Sequence, residues 1–189
     1  MSAIRTVCVF CGSRRGRRAA YADAAAEVGR ALARAGLRIV YGGGEVGLMG
    51  VVAEAALAAG GEVVGVIPER LMAREVAKAG LTHLQVTRTM FERKARMIGA
   101  ADAFLVLPGG FGTLDELLEV VTLRQLGYHD RPVVLLDVEG YFGPLLVTFT
   151  RLVEEGFADA ACLGLWRVAR DVGEALALLV RPAPDVAGR

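Results

Sequence analysis

The most concentrated chemistry in the chain lies between Asp102 and Val121, in DAFLVLPGGFGTLDELLEVV. Pro108, Gly109, Gly110 and Gly112 interrupt an apolar run over 103–107, and helical spacing resumes at Leu114, Leu117, Leu118 and Val121. A glycine turn between a strand and a helix gathers backbone N–H groups and a helix N-terminus at one point, which suits a phosphate or another anion. Asp115, Glu116 and Glu119 then put three carboxylates at the start of that helix. One of them is expected to face the ligand. Thr113 and Glu116 also have the T-x-x-E spacing of a capping box, so Glu116 reads either as a helix cap or as a carboxylate of the site.

Arg93 is the second candidate. Met90, Met97 and Ile98 mark the apolar side of a helix over 89–101, and Arg93 shares that side. An unpaired buried guanidinium is prohibitively costly, so the group must meet a structural partner, a ligand phosphate or the carboxylate of Glu116. Two further loops could line a site. CGSRRGR at 11–17 offers Ser13 to an anion and sets Arg14, Arg15 and Arg17 beside Arg18, an arrangement that also fits a solvated loop. YGGGEVGLMG at 41–50 contains the G-x-G-x-x-G spacing at Gly42, Gly44 and Gly47. That fingerprint normally occupies the first strand-to-helix turn, whereas here it falls in the second. The nearby acid Glu69 follows Pro68 in a turn, which also counts against a nicotinamide cofactor.

The remaining reactive side chains point elsewhere. Cys8 and Cys11 form C-x-x-C, but Cys8 lies in a strand-like run, where side chains three apart face opposite ways, so buried apolar residues are expected rather than a redox pair. His83 and His129 are the only histidines, and neither sits in a cluster of metal ligands. No metal and no cofactor are expected.

The elements that must position these residues alternate regularly. Strands are expected over 6–10, 37–41, 62–67, 83–87, 103–107, 132–137 and, from a weaker signal, 165–169. Helices are expected over 19–35, 48–59, 90–101, 114–126, 141–155 and 172–180. In the first helix Val28, Leu32 and Ala35 make an apolar stripe opposite Asp23, Glu27, Arg30 and Arg34, closed by Gly36. Such alternation predicts an α/β fold: a single-domain, Rossmann-like doubly wound sheet, mostly parallel, of about seven strands with helices on both faces. The domain is expected over 1–180, with a disordered tail over 181–189. In such sheets ligands bind at the carboxyl ends of the strands, where all three loops emerge.

With 22 Lys and Arg against 21 Asp and Glu, the formal net charge is +1. This charge gives no electrostatic reason to expect nucleic acid or an anionic membrane, and a small-molecule partner is the default. No apolar run approaches the roughly 20 residues of a membrane span, and the first residues lack an apolar signal core, so the expectation is a cytoplasmic protein.

In order along the chain, CGSRRG, YGGGEVGLMG, IPERLMAREV, FERKARM, ADAFLVLPGGFGTLDELLEV and LRQLGYHDRPVVLLDVEGYF resemble the LOG family, the cytokinin-activating phosphoribohydrolases. The resemblance implies hydrolysis of the N-glycosidic bond of an adenosine 5′-monophosphate, preferably modified at N6, with release of free base and ribose 5-phosphate. It implies a catalytic pair at Arg93 and Glu116. It extends substrate contacts to Glu75, Lys94, Gly110, Gly112, Thr113, Asp115 and Thr122, and it implies a homodimer with sites near the interface. Gly109, Phe111 and Leu114 of the glycine turn join the candidate contacts, with Ser13 of the first loop and Gly43, Gly44 and Met49 of the second. Four positions depart from the family pattern: Phe91, Asp115, Arg15 and Arg124, of which the two arginines bear on base preference. The alternatives are a non-catalytic nucleotide carrier or sensor of the same fold and a nicotinamide-dependent oxidoreductase on Gly42, Gly44 and Gly47. Lysine decarboxylation has no support, since nothing resembles a pyridoxal phosphate site.

Overall fold

The computed structural model describes residues 4–72 and 80–180. Glu75 and the tail 181–189 lie outside the described residues. Seven strands form one sheet: β1 (Thr6–Phe10), β2 (Arg38–Tyr41), β3 (Val63–Pro68), β4 (His83–Thr87), β5 (Ala103–Val106), β6 (Val133–Leu136) and β7 (Arg167–Ala169). Among the described residues, six α-helices connect and follow them: α1 (Ala19–Arg34), α2 (Gly47–Ala58), α3 (Met90–Ala100), α4 (Phe111–Gln125), α5 (Gly143–Glu154) and α6 (Val172–Val180).

The strands run parallel in the order β4-β3-β2-β1-β5-β6-β7. The chain therefore winds outward from β1 to β4, returns across the sheet, and winds outward again from β5 on the other side of β1. This is the doubly wound α/β architecture, and its reversal leaves a crevice between the carboxyl ends of β1 and β5.

Alternation within β1 assigns its side chains to the two layers. Val7 and Val9 join the apolar cluster under α1, α2 and α6, whereas Cys8 and Phe10 join the cluster under α3, α4 and α5. Because both faces are covered, the central strands read as continuous apolar runs. The same rule separates Cys8 from Cys11, which sit in opposite clusters with free thiols.

Two sequence expectations need correction. Ala35 is exposed and serves as the C-cap of α1, so the buried stripe of that helix is Ala25, Val28, Gly29 and Leu32. Gly36, with φ at 69°, closes the helix as expected. More consequentially, α4 begins at Phe111, three residues before Leu114, with Gly110 as its N-cap and no side-chain cap. Thr113 is thus already helical, and Glu116 stands in the second turn. The capping-box reading of these two residues fails on geometry.

Gly29 sets the distance between α1 and α2. A Cβ there would lie 2.3 Å from the Val52 carbonyl oxygen and 3.0 Å from the Ala56 nitrogen, so the helices meet backbone against backbone. Gly29→Val should lower stability by about 1–3 kcal/mol, the usual cost of overpacking. Urea unfolding is expected to show a lower midpoint with an unchanged slope. An unshifted midpoint would mean that the helices do not approach this closely.

Candidate active site

The crevice at the switch point opens into a cleft of about 520 Å³, including its mouth. Val9 and Cys11 contribute from the end of β1, Ser13 from the loop after it, Gly42 and Met49 from the β2–α2 connection, and Arg93 from α3. Gly110, Phe111, Gly112, Thr113 and Glu116 close the cleft from the start of α4.

Arg93 reaches the cleft because its helix is well started. The Thr89 hydroxyl accepts the Glu92 N–H at 3.1 Å, and the Glu92 carboxylate accepts the Arg88 N–H at 2.9 Å. The T-x-x-E cap is thus realised at Thr89 rather than at Thr113, with the Glu92 carboxylate reaching one residue past the cap, to the Arg88 N–H. One turn on, Arg93 is only 5% exposed. Its Nε donates to the Val66 carbonyl at 3.1 Å and its Nη2 to the Gly42 carbonyl at 3.1 Å. Gly42 is the socket for this group, since a Cβ there would fall 2.0 Å from Nη2. The glycine that completes the fingerprint spacing in sequence therefore makes room for an arginine.

Glu116 is 9% exposed and faces the same cleft from α4. Its charge is felt at Cys11, whose thiol is pushed far up first by burial and then by Glu116, with Arg93 acting the other way. Cys11 is consequently a neutral, apolar part of the wall. The end of the cleft suited to an anion is built from backbone. Gly109 must lack a side chain, because a Cβ would lie 2.1 Å from Thr113 Oγ1 and 2.9 Å from the Gly12 nitrogen. Gly110, Phe111, Gly112 and Thr113, which begin α4 without a side-chain cap, all line the cleft, so the unsatisfied first-turn N–H groups belong to residues of its wall.

The structure brings Ser13, Met49, Arg93, Gly110, Phe111, Gly112, Thr113 and Glu116 to one cleft. Other expected contacts stand elsewhere. Lys94 bridges Asp115 at 3.0 Å and Glu119 at 2.8 Å outside the cleft. Burial works to lower the pKa of Lys94, but its hydrogen bonds to Glu119 and Asp115 outweigh it and the net shift is upward. Thr122 is exposed farther along α4, Leu114 is half-buried, and Gly109 supports the turn from behind. Gly43 packs against the end of β3, where a Cβ would lie 3.1 Å from that of Ile67. Gly44 is buried beside it without lining the cleft.

Of the departures, Arg15 is exposed on the first loop and Arg124 is buried with Nη1 donating to the Leu165 carbonyl at 2.6 Å. Arg124 thus braces α4 away from the cleft, and neither arginine lines it. Phe91 is 80% exposed beside Lys94, whose Nζ sits 5.9 Å from its ring centroid. Neither histidine lines the cleft. His129 accepts the Arg131 N–H at Nδ1, which leaves Nε2 to donate to the Val120 carbonyl, and burial, then Arg131, pushes its pKa down to about 4. Val9, Cys11 and Gly42 were missed as site residues. The first two were accessible from the rule that the carboxyl end of a strand at the reversal carries the ligand.

A doubly wound sheet with an uncapped helix start and two buried charged side chains at its switch point is a Rossmann-like α/β protein with a cleft suited to a phosphorylated small molecule. The family model described as possible lysine decarboxylase matches residues 49–179. The chain is 48% identical over 180 residues to the probable cytokinin riboside 5′-monophosphate phosphoribohydrolase LOG4 of Oryza sativa subsp. japonica, covering 95% of this chain and 78% of that one. It is 49% identical over 156 residues to cytokinin riboside 5′-monophosphate phosphoribohydrolase LOG1 of Arabidopsis thaliana, covering 82% and 73%. The molybdenum cofactor carrier protein of Chlamydomonas reinhardtii superposes with a TM-score of 0.71 at 25% identity, covering 92% of this chain and 94% of that one. The chain belongs to the LOG family.

The socket at Gly42 yields a direct test. Gly42→Ala should displace the Arg93 guanidinium and cost about 1–3 kcal/mol in unfolding free energy. In an Arg93→Met background the same change should cost markedly less, because the two residues are in contact and their effects are coupled. Strictly additive losses in the double-mutant cycle would show that Gly42 and Arg93 do not meet.

Proposed function

We propose that the protein hydrolyses the N-glycosidic bond of adenosine 5′-monophosphates modified at N6, cytokinin riboside 5′-monophosphates among them, to free base and ribose 5-phosphate. The observation that carries this reading is the convergence of Arg93 and Glu116, buried charges from two different helices, on the cleft into which the uncapped start of α4 opens. Buried charges are costly to keep and concentrate where chemistry requires them. Relatives named phosphoribohydrolases at about half identity over most of the chain support the same reaction. They outweigh the carrier reading, which rests on a structural likeness at 25% identity.

In this mechanism the first-turn amides from Gly110 to Thr113 hold the 5′-phosphate, and its binding energy places the anomeric carbon against Glu116. The bond from that carbon to the base nitrogen breaks with its electron pair leaving to the base. Positive charge develops on the sugar, and the Glu116 carboxylate stabilises it. Water then delivers hydroxide to the carbon and its proton to the base. Arg93, anchored on two carbonyls, orients the ribose and the carboxylate. The apolar wall of Val9, Cys11 and Met49 offers the base a surface. Glu75, Lys94, Asp115 and Thr122 enter as substrate contacts through the resemblance alone. Lys94, held by two carboxylates, is a poor candidate for the Schiff base that a decarboxylase would need.

We further propose a cytoplasmic homodimer acting on a small nucleotide rather than on nucleic acid. Among the described residues no helix is long and apolar enough to cross a membrane. Three free cysteines fit a reducing compartment. Phe111 is 94% exposed while lining the cleft, and Leu118 and Leu126 leave α4 apolar on its outer side. A second copy would cover them. Sedimentation equilibrium at working concentration is expected to report a dimer, and a monomer throughout would refute the assembly.

The function is tested by chromatography of free base released from a panel of nucleoside 5′-monophosphates and the matching nucleosides. Turnover is expected on the monophosphates and not on the nucleosides. Glu116→Gln should lose about a hundredfold or more in turnover, on the order of 3 kcal/mol, with monophosphate binding and melting nearly unchanged. Near-normal release of base by that variant would leave the site without its proposed catalyst.

A further inference from the structure

β6 ends beside β5, and the turn after it, Val138–Gly140, carries Glu139 at φ 52°. That turn brings Tyr141 over the loop between β5 and α4, where its hydroxyl donates to the carbonyl of Gly109. The ring is held from two sides. It meets the edge of Tyr21 at 5.8 Å between centroids and that of buried Phe142 at 5.1 Å. The backbone beneath is tied by the Phe142 N–H to Asp137 Oδ1 at 2.7 Å and by the Arg18–Glu139 ion pair at 2.6 Å.

The consequence follows from peptide geometry. The Gly109 carbonyl and the Gly110 N–H belong to one planar trans unit, so they point in opposite directions. With the carbonyl drawn to Tyr141, the N–H is turned to the opposite side, and Gly110 itself lines the cleft. A peptide between two glycines has little conformational preference of its own. Gly110 is also the N-cap of α4, and no side chain caps that helix start. The orientation of this amide therefore needs an external hold, and the structure provides one from the turn that follows β6.

We propose that Tyr141 is a positioning residue for the phosphate: by holding the Gly109 carbonyl it aims the Gly110 N–H at the anion and favours phosphorylated over unphosphorylated ligands. The inference rests on the reading of the cleft as a nucleoside 5′-monophosphate site. Tyr141 itself is 37% exposed, and its hydroxyl leaves the ring contacts in place when removed.

The test is calorimetric titration of wild type and Tyr141→Phe with ribose 5-phosphate and with adenosine. The variant should bind ribose 5-phosphate roughly three- to tenfold more weakly, the range of one net hydrogen bond, and adenosine as before. KM for the monophosphate should rise by a similar factor with kcat little changed. Equal weakening for both ligands would mean a general distortion and overturn the proposal, as would an unchanged affinity for ribose 5-phosphate. Base release by the wild type, measured in parallel, judges the hydrolase reading separately. An inactive wild type that binds ribose 5-phosphate would fell that reading and leave the titration to decide the role of Tyr141.

Discussion

At the point where the sheet reverses direction, backbone stands against backbone, and the rest of the site depends on that contact. The Gly12 N–H donates to the Pro108 carbonyl at 3.1 Å, and the Leu48 N–H donates to the Gly12 carbonyl at 2.9 Å. A Cβ on Gly47 would lie 2.2 Å from the Ser13 carbonyl carbon. Three loops from three strands are thereby fused into one floor with no side chain between them. Glycine is needed at this floor for close approach, and at Gly47 also for its φ of 71°. The floor fixes where α4 starts, and hence where its first-turn amides and Glu116 face.

Arg93 shows how this architecture keeps a charge buried. A guanidinium has five N–H donors and no acceptor, so burial requires oxygen atoms around it. Here the Gly42 carbonyl just past β2 and the Val66 carbonyl of β3, beyond the last residues paired between those two strands, supply them. The arginine also links β2, β3 and α3 at the edge of the cleft. The architecture thus supports the site and the site supports the architecture, an arrangement in which a single glycine, Gly42, serves both.

The two T-x-x-E segments separate local from tertiary causes. At Thr89 to Glu92 the pattern forms its cap, since the chain enters α3 from an edge strand and nothing else competes for those N–H groups. At Thr113 to Glu116 the same spacing is absorbed into a helix that has already begun. Thr113 is buried against Gly109 and Glu116 turns to the cleft. Local pattern could not distinguish the two, because the difference lies in what packs against each helix start.

The sequence by itself determined the layering. Apolar runs such as Thr6 to Phe10 and Ala103 to Val106 are legible because both faces of a parallel sheet are buried, and the regular alternation with amphipathic helices leaves one architecture. The glycine turn at 109–112 and the presence of Arg93 on an apolar helix face were legible for the same reason: each is anomalous against its local period. Tertiary structure decided the rest. The start of α4 moved to Phe111, since FGT reads as a turn in isolation, whereas in the fold Thr113 packs on Gly109, which itself lies against Gly12. Gly42 matched the spacing of a dinucleotide fingerprint and proved to be the socket of a side chain 51 residues away. Tyr141, 32 residues from the carbonyl it holds, gave no local signal at all. Contacts of that separation are set by the order of strands in the sheet, which a one-dimensional pattern constrains only through its handedness and never by distance.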